Sequence, residues 1–159
     1  GPKNGEFEAF ARIWQGPFAG WSIILSEKNF DKAGNIRGWR WQGNETVEFA
    51  IVQHQSYRIT DMALLPGSEE IVTLERSFLP GSLPGMLVRR FQLKDLKTRR
   101  AAKGKVLLEA TQPFFAIDNM EGLAVHQTED GETRLTIISD DNYNSTVQST
   151  LLLQFALPE

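Results

Sequence analysis

The stretch Asp61-Met62-Ala63-Leu64-Leu65-Pro66-Gly67-Ser68-Glu69-Glu70-Ile71-Val72-Thr73-Leu74-Glu75 decides the reading of the fold. Two short apolar runs flank a Pro-Gly turn signal, which predicts two strands joined by a tight connection. A carboxylate opens the first strand and another closes the second. The same pattern occurs twice more. Glu8-Ala9-Phe10-Ala11-Arg12-Ile13 leads to Ile23-Ile24-Leu25-Ser26-Glu27, and Glu121-Gly122-Leu123-Ala124-Val125 leads to Thr136-Ile137-Ile138-Ser139-Asp140. The opening carboxylates fall at 8, 61 and 121 and the closing ones at 27, 75 and 140, a repeat of roughly 50 to 60 residues.

Around these pairs, runs rich in Ile, Val, Leu, Phe and Trp are parted by Gly, Pro, Asn and Asp clusters. They predict strands over 7–13, 21–26, 36–41, 47–52, 60–65, 71–75, 86–93, 105–110, 122–126, 134–139 and 150–157. No segment keeps a helical period over three turns; the best candidate, 94–102, has only Leu96, Ala101 and Ala102 as apolar members. Units of four strands recurring at this spacing are what propeller blades show. The expected fold is therefore an all-β propeller with three four-stranded antiparallel blades, over 6–56, 57–112 and 113–159. Residues 1–5 read as a leader, with Gly1-Pro2 resembling a protease-cleavage scar.

Propellers typically close with 4 to 8 blades, so three would leave apolar faces open at both ends of the arc. The chain then reads as half of a six-bladed ring, completed by another half-propeller of the same protein or by a second copy in a homodimer. The alternative is a single barrel or sandwich in which the repeat is coincidental.

Composition narrows the function classes. The chain has 159 residues, enough for a real core, and its net charge of −3 comes from 17 basic and 20 acidic residues. The densest basic patch, Lys97, Arg99, Arg100, Lys103 and Lys105, reads as a solvated loop, so no footprint for nucleic acid is expected. No apolar stretch approaches the roughly 18 to 20 residues of a membrane helix, and the expectation is a soluble chain without an export signal of its own. With no cysteine, thiol catalysis and Cys-type zinc sites are excluded.

Several segments together carry a resemblance. They are Tyr57-Arg58-Ile59-Thr60-Asp61-Met62-Ala63-Leu64-Leu65-Pro66 with Leu74-Glu75-Arg76; Ile117-Asp118-Asn119-Met120-Glu121-Gly122-Leu123-Ala124-Val125; Ile138-Ser139-Asp140-Asp141-Asn142; and Gln148-Ser149-Thr150-Leu151-Leu152-Leu153-Gln154-Phe155. Over roughly residues 5 to 157 the chain resembles the carboxyl-terminal half of the phytase-like proteins called "esterase-like activity of phytase". The resemblance implies a bacterial, periplasmic or secreted protein, a six-bladed propeller, and hydrolysis of phosphate or carboxylate esters.

In a blade the start of the first strand and the end of the second lie at one rim, because the two run antiparallel. Glu8, Glu27, Asp61, Glu75, Glu121 and Asp140 are therefore expected to form an acidic arc at the channel mouth, with Asp118, Asn119, Asp141 and Asn142 beside it. Crowded carboxylates are relieved by a hard cation with oxygen ligands, and calcium is the first candidate. The predicted metal ligands are Glu8, Glu27, Asp61, Glu75, Glu121, Asp140, Asp141 and Asn142. The alternative is that these acids cap turns and backbone N–H groups.

A metal would polarise a phosphoryl oxygen and activate water, and Arg58, Arg76 and Lys28 would hold the substrate's charge. The competing reading pairs these cations with the same acids. No serine elbow exists, since Gly81-Ser82-Leu83-Pro84-Gly85 misplaces its serine, and His54 and His126 are the only imidazoles. Trp14, Trp21, Trp39 and Trp41 could stack on a ligand ring, although tryptophan between blades usually fills the core. The function expected is a metal-dependent phosphate-ester hydrolase. Its rivals are a non-catalytic binding or scaffold propeller and a domain that needs calcium only to fold.

Overall fold

The structure is a computed structural model, and it describes residues 7–67, 69–77, 79–111, 120–140 and 150–157. Among the described residues all elements but one are strands: β1 (Phe7–Arg12), β2 (Ser22–Phe30), β3 (Ile36–Gln42), β4 (Glu45–Ile51), β5 (Arg58–Leu64), β6 (Glu70–Ser77), β7 (Gly85–Gln92), β8 (Lys105–Thr111), β9 (Met120–Gln127), β10 (Thr133–Ser139) and β11 (Leu152–Ala156). Each falls within a residue or a few of a strand expected from the sequence. The 94–102 candidate yields no α-helix; one 3-10 turn, Leu93–Asp95, precedes a segment whose Ala102 bonds the backbone of Ala50 and Val52.

The strands form three antiparallel sheets in simple sequential order. Sheet I is β1-β2-β3-β4, sheet II is β5-β6-β7-β8, and sheet III, among the described residues, is β9-β10-β11. β1 packs against β5 and β5 against β9, so the first strands of the three sheets converge.

Residue patterning explains why the sheets stack. In β1 the small residues Ala9 and Ala11 point inward and Phe10 and Arg12 outward, the period of two that a half-covered sheet requires. In β6, by contrast, Ile71, Val72, Thr73, Leu74 and Glu75 are all buried, the unbroken run of a strand covered on both faces. Ile71, Phe91 and Ile59 join Ile23, Leu25, Phe49 and Ile51 in one core between sheets I and II. Val72, Leu74 and Val88 join Met120, Leu135 and Ile137 in a second core between sheets II and III. Full burial of each such side chain stabilises by about 1.5–3 kcal/mol.

One glycine sets how closely the layers approach. A Cβ on Gly38 would lie 2.5 Å from the Phe49 ring and 2.8 Å from Leu25, so only glycine lets Phe49 cross β3 there. The outer face of sheet I is aromatic and open. Phe7 meets Trp39 edge to face at 5.6 Å between centroids, Phe10 meets Trp41, and Trp14 is 72% exposed. Of the four tryptophans, Trp21 is the one packed against the first core.

Candidate functional site

In all three sheets the pairing of first strand with second skips one residue at the same place. Phe7 pairs Ser26 and Ala9 pairs Leu25, leaving Glu8 as the extra residue. Ile59 pairs Glu75 and Asp61 pairs Leu74, leaving Thr60. Met120 pairs Ser139 and Gly122 pairs Ile138, leaving Glu121. A bulge of this kind re-aims the side chain it carries. The equivalent positions are therefore Glu8, Thr60 and Glu121 on the first strands, and Glu27, Arg76 and Asp140 after Ser26, Glu75 and Ser139 on the second.

This register corrects the sequence alignment of the middle unit by one residue. Asp61 and Glu75 were expected to match Glu8 and Glu27; the matching residues are Thr60 and Arg76. Because strand side chains alternate, a one-residue slip carries a side chain to the other face. Glu75 accordingly leaves the rim and is buried, with 0% exposure. The signal was present in the apolar residue before each bulge, Phe7, Ile59 and Met120, all three in register.

A polar cleft of about 290 Å³ gathers these positions. Glu8, Glu27 and Lys28 come from sheet I, Ile59, Thr60 and Arg76 from sheet II, and Glu121 from sheet III. Five of the predicted site residues meet here: Glu8, Glu27, Glu121, Lys28 and Arg76. The Arg76 guanidinium donates to Glu121 at 2.6 Å, and the Lys28 ammonium lies 3.0 Å from the Glu27 carboxylate. Thr60 donates its hydroxyl to the carbonyls of Leu74 and Met120, tying sheet II to sheet III below the cleft. Partial burial, then the charges of Glu27 and Glu121, push the Glu8 carboxyl above its ordinary value, against the opposing pull of Lys28 and Arg76.

The remaining predicted residues lie elsewhere. Asp61 accepts backbone N–H bonds from Met62 and from Leu123 of sheet III, each at 2.8 Å; it is a tether between sheets, with its carboxyl pushed up by burial. Glu75 receives Arg89 Nε at 2.7 Å and Nη2 at 3.1 Å, and the Thr73 hydroxyl at 2.8 Å. Such a pair satisfies a buried carboxylate that would otherwise be very costly. The matching residues Ser26 and Ser139 are also buried but small: Ser26 donates to the carbonyls of Asn29 and Arg37, and Ser139 accepts from Leu151 N–H. Arg58 is exposed and sits opposite Arg76 in the ladder, outside the cleft lining. Asp140 is exposed and stands at the Glu27-equivalent position, also outside that lining. Asp118, Asn119, Asp141 and Asn142 lie outside the described residues.

Calcium was expected to relieve this acidic cluster. Among the described residues, no three His, Asp or Glu side chains are arranged to hold a metal ion. Within the cleft Arg76 pairs with Glu121 and Lys28 with Glu27.

Residues 2–143 match the phytase-like family described as esterase-like activity of phytase. The chain belongs to the phytase-like family. Comparison with curated proteins and with solved structures returns no match. Within this phytase-like chain, no helix among the described residues is long and apolar enough to cross a membrane.

Proposed function

We propose that this phytase-like chain supplies three consecutive blades of a β-propeller, and that its rim cleft takes the phosphoryl group of a phosphate ester for hydrolysis. The observation that carries the reading is the convergence of Glu8, Glu27, Lys28, Arg76 and Glu121, drawn from all three sheets, on one polar cleft. Arg76 and Lys28 would exchange their carboxylate partners for phosphoryl oxygens, the fork of Arg76 suiting two of them at once. Glu8, protonated to a higher pH than an ordinary glutamate, would give its proton to the leaving alkoxide as water attacks phosphorus and the P–O bond breaks. Glu27 or Glu121, freed by that exchange, would accept the proton of the attacking water.

The step above is written on groups of the chain, with Lys28 paired to Glu27 and Arg76 to Glu121; a calcium ion held by the rim carboxylates is a further part of the proposal. Calcium becomes a condition of the assay. The proposal extends to the family's expected export and to closure of the ring, for which the open aromatic face of sheet I, around Trp39 and Trp41, calls for another half-propeller or a second copy.

A second reading has its own support. Arg76 and Lys28 are already ion-paired, which suits a non-catalytic binding or scaffold propeller held together by those pairs. Phosphate release from an aryl phosphate, with calcium and with chelator, separates the two. The hydrolase reading expects turnover that falls at least tenfold in Glu8→Gln and in Arg76→Gln. No turnover under either condition, with the wild-type chain folded, sinks it in favour of the scaffold.

A further inference from the structure

The basic patch that reads as a solvated loop in the sequence is folded into a cleft of about 470 Å³. Arg90, Lys97, Arg100, Lys103 and Lys105 line it, with Asp95 as its one acid. It lies at the end of sheet II remote from the rim. Arg90 pairs with Val72 in the ladder, four residues along β6 from Arg76, a separation of about 13 Å. Arg90 is held by Glu70, whereas Lys97, Arg100, Lys103 and Lys105 make no ion pair among the described residues.

This loop is built rather than draped. Lys97 and Arg100 bridge a tight turn in which Arg99 is held at φ 80°, a left-handed conformation that costs a non-glycine residue energy and tends to persist where it serves a site. The Thr98 hydroxyl donates to the Glu48 carbonyl of sheet I at 3.1 Å. Ala102 exchanges backbone bonds with Ala50 and Val52. Arg89, pinned by buried Glu75, donates Nη1 to the carbonyls of both Lys103 and Val52. Gly104, at φ 66°, lies so close over the Phe91 ring that a Cβ would sit 2.6 Å from it. Four anchors thus hold the backbone that carries this line of exposed, uncompensated cations, which lowers the backbone part of the ordering cost of binding.

We propose that this cleft binds a small soluble polyanion bearing two or more phosphoryl groups. Clustered cations with no carboxylate partner leave a positive potential that a multivalent anion relieves, and the cleft is larger than one tetrahedral oxyanion fills. Affinity should depend steeply on salt, as binding by several cations requires.

Titration calorimetry of the intact chain with tripolyphosphate and with orthophosphate tests this. The expected result is binding of tripolyphosphate at least tenfold tighter than of orthophosphate. It should weaken at least tenfold in the double variant K97Q/R100Q, survive in the charge-keeping swap K97R/R100K, and be unchanged in Arg76→Gln. Loss in Arg76→Gln with retention in K97Q/R100Q would assign the polyanion to the rim and overturn the proposal. Equal affinity for the two probes, or binding to heparin or anionic vesicles without binding of tripolyphosphate, would also overturn it. Failure of the rim cleft to hydrolyse esters leaves these outcomes readable, since none of them uses turnover.

Discussion

Arg76 occupies in sheet II the position that Glu27 occupies in sheet I, and it reaches across to Glu121 of sheet III at 2.6 Å. One change of sign at an equivalent position thus sets a second cation beside Lys28 in a cleft that holds three carboxylates, Glu8, Glu27 and Glu121. Both partners are partly exposed, with 34% and 46% of their side-chain surface open, so the pair itself contributes little to stability. Arg76→Gln is expected to shift the urea midpoint by the equivalent of less than about 1 kcal/mol. A loss several times larger would make the pair structural and remove the argument that it is free to exchange with a ligand.

The buried pair behaves differently. Glu75→Ser leaves Arg89 unpaired inside the sheet I–sheet II interface and should cost about 3–5 kcal/mol. Replacing both residues, with Glu75→Ser and Arg89→Leu, should recover most of that loss, because serine is what sheets I and III hold at this position. Urea unfolding of the two single variants and the double closes the cycle. Additive losses would mean that Glu75 and Arg89 do not act as a unit.

Glu8 and Asp31 should give stability opposite dependences on pH. The Glu8 carboxyl is raised in the folded state, above its ordinary 4.5. Its contribution is complete below that value and is lost as pH rises through the folded pKa. Asp31 accepts from the Asn35 side chain and from the backbone N–H groups of Asn35 and Ala33, which lower its carboxyl below 3.8. Its contribution is present above 3.8 and is lost as pH falls through the lowered value. Relative to wild type, Glu8→Gln should lose most stability near pH 4 and least near neutrality, and Asp31→Asn should show its largest loss at neutrality. Parallel pH curves for wild type and both variants would contradict this.

The strands were legible because short apolar runs and Pro, Gly, Asn and Asp punctuation suffice to find them, even the doubly covered β6. What escaped was a single unpaired residue. Nothing in Thr60 or Asp61 read singly says which one the ladder skips, and Asp61 mimics Glu8 in chemistry while Thr60 matches it in place. The companion error at Glu75 follows, since an acid next to an arginine is the same dipeptide whichever of the two faces inward. Arg89 lies 14 residues further on, and only the folded ladder brings it to Glu75. The basic loop was likewise seen as charges, but its anchors are Glu48 and Ala50 of sheet I and Val52 just past it.

The aromatic face of sheet I makes a prediction about assembly. Phe10 and Trp41 are large apolar side chains in contact on an open face, of the kind that marks an interaction surface. Sedimentation velocity of this chain should give a second copy or a larger assembly, and Phe10→Lys should shift it toward the monomer. A monomer at all concentrations, unaffected by Phe10→Lys, would count against a homodimeric ring and leave another half-propeller as the covering partner.

Convergence of the three sheets on one cleft is tested most directly by the titration of Glu8 itself, followed through its carboxyl carbon by NMR. Glu121→Gln and Glu27→Gln should each lower the Glu8 pKa, and Arg76→Gln and Lys28→Gln should each raise it, since those four groups are the charges that act on it. A Glu8 that titrates near 4.5 and ignores substitutions at Arg76 and Glu121 would contradict the account, because those residues would then not share its cleft.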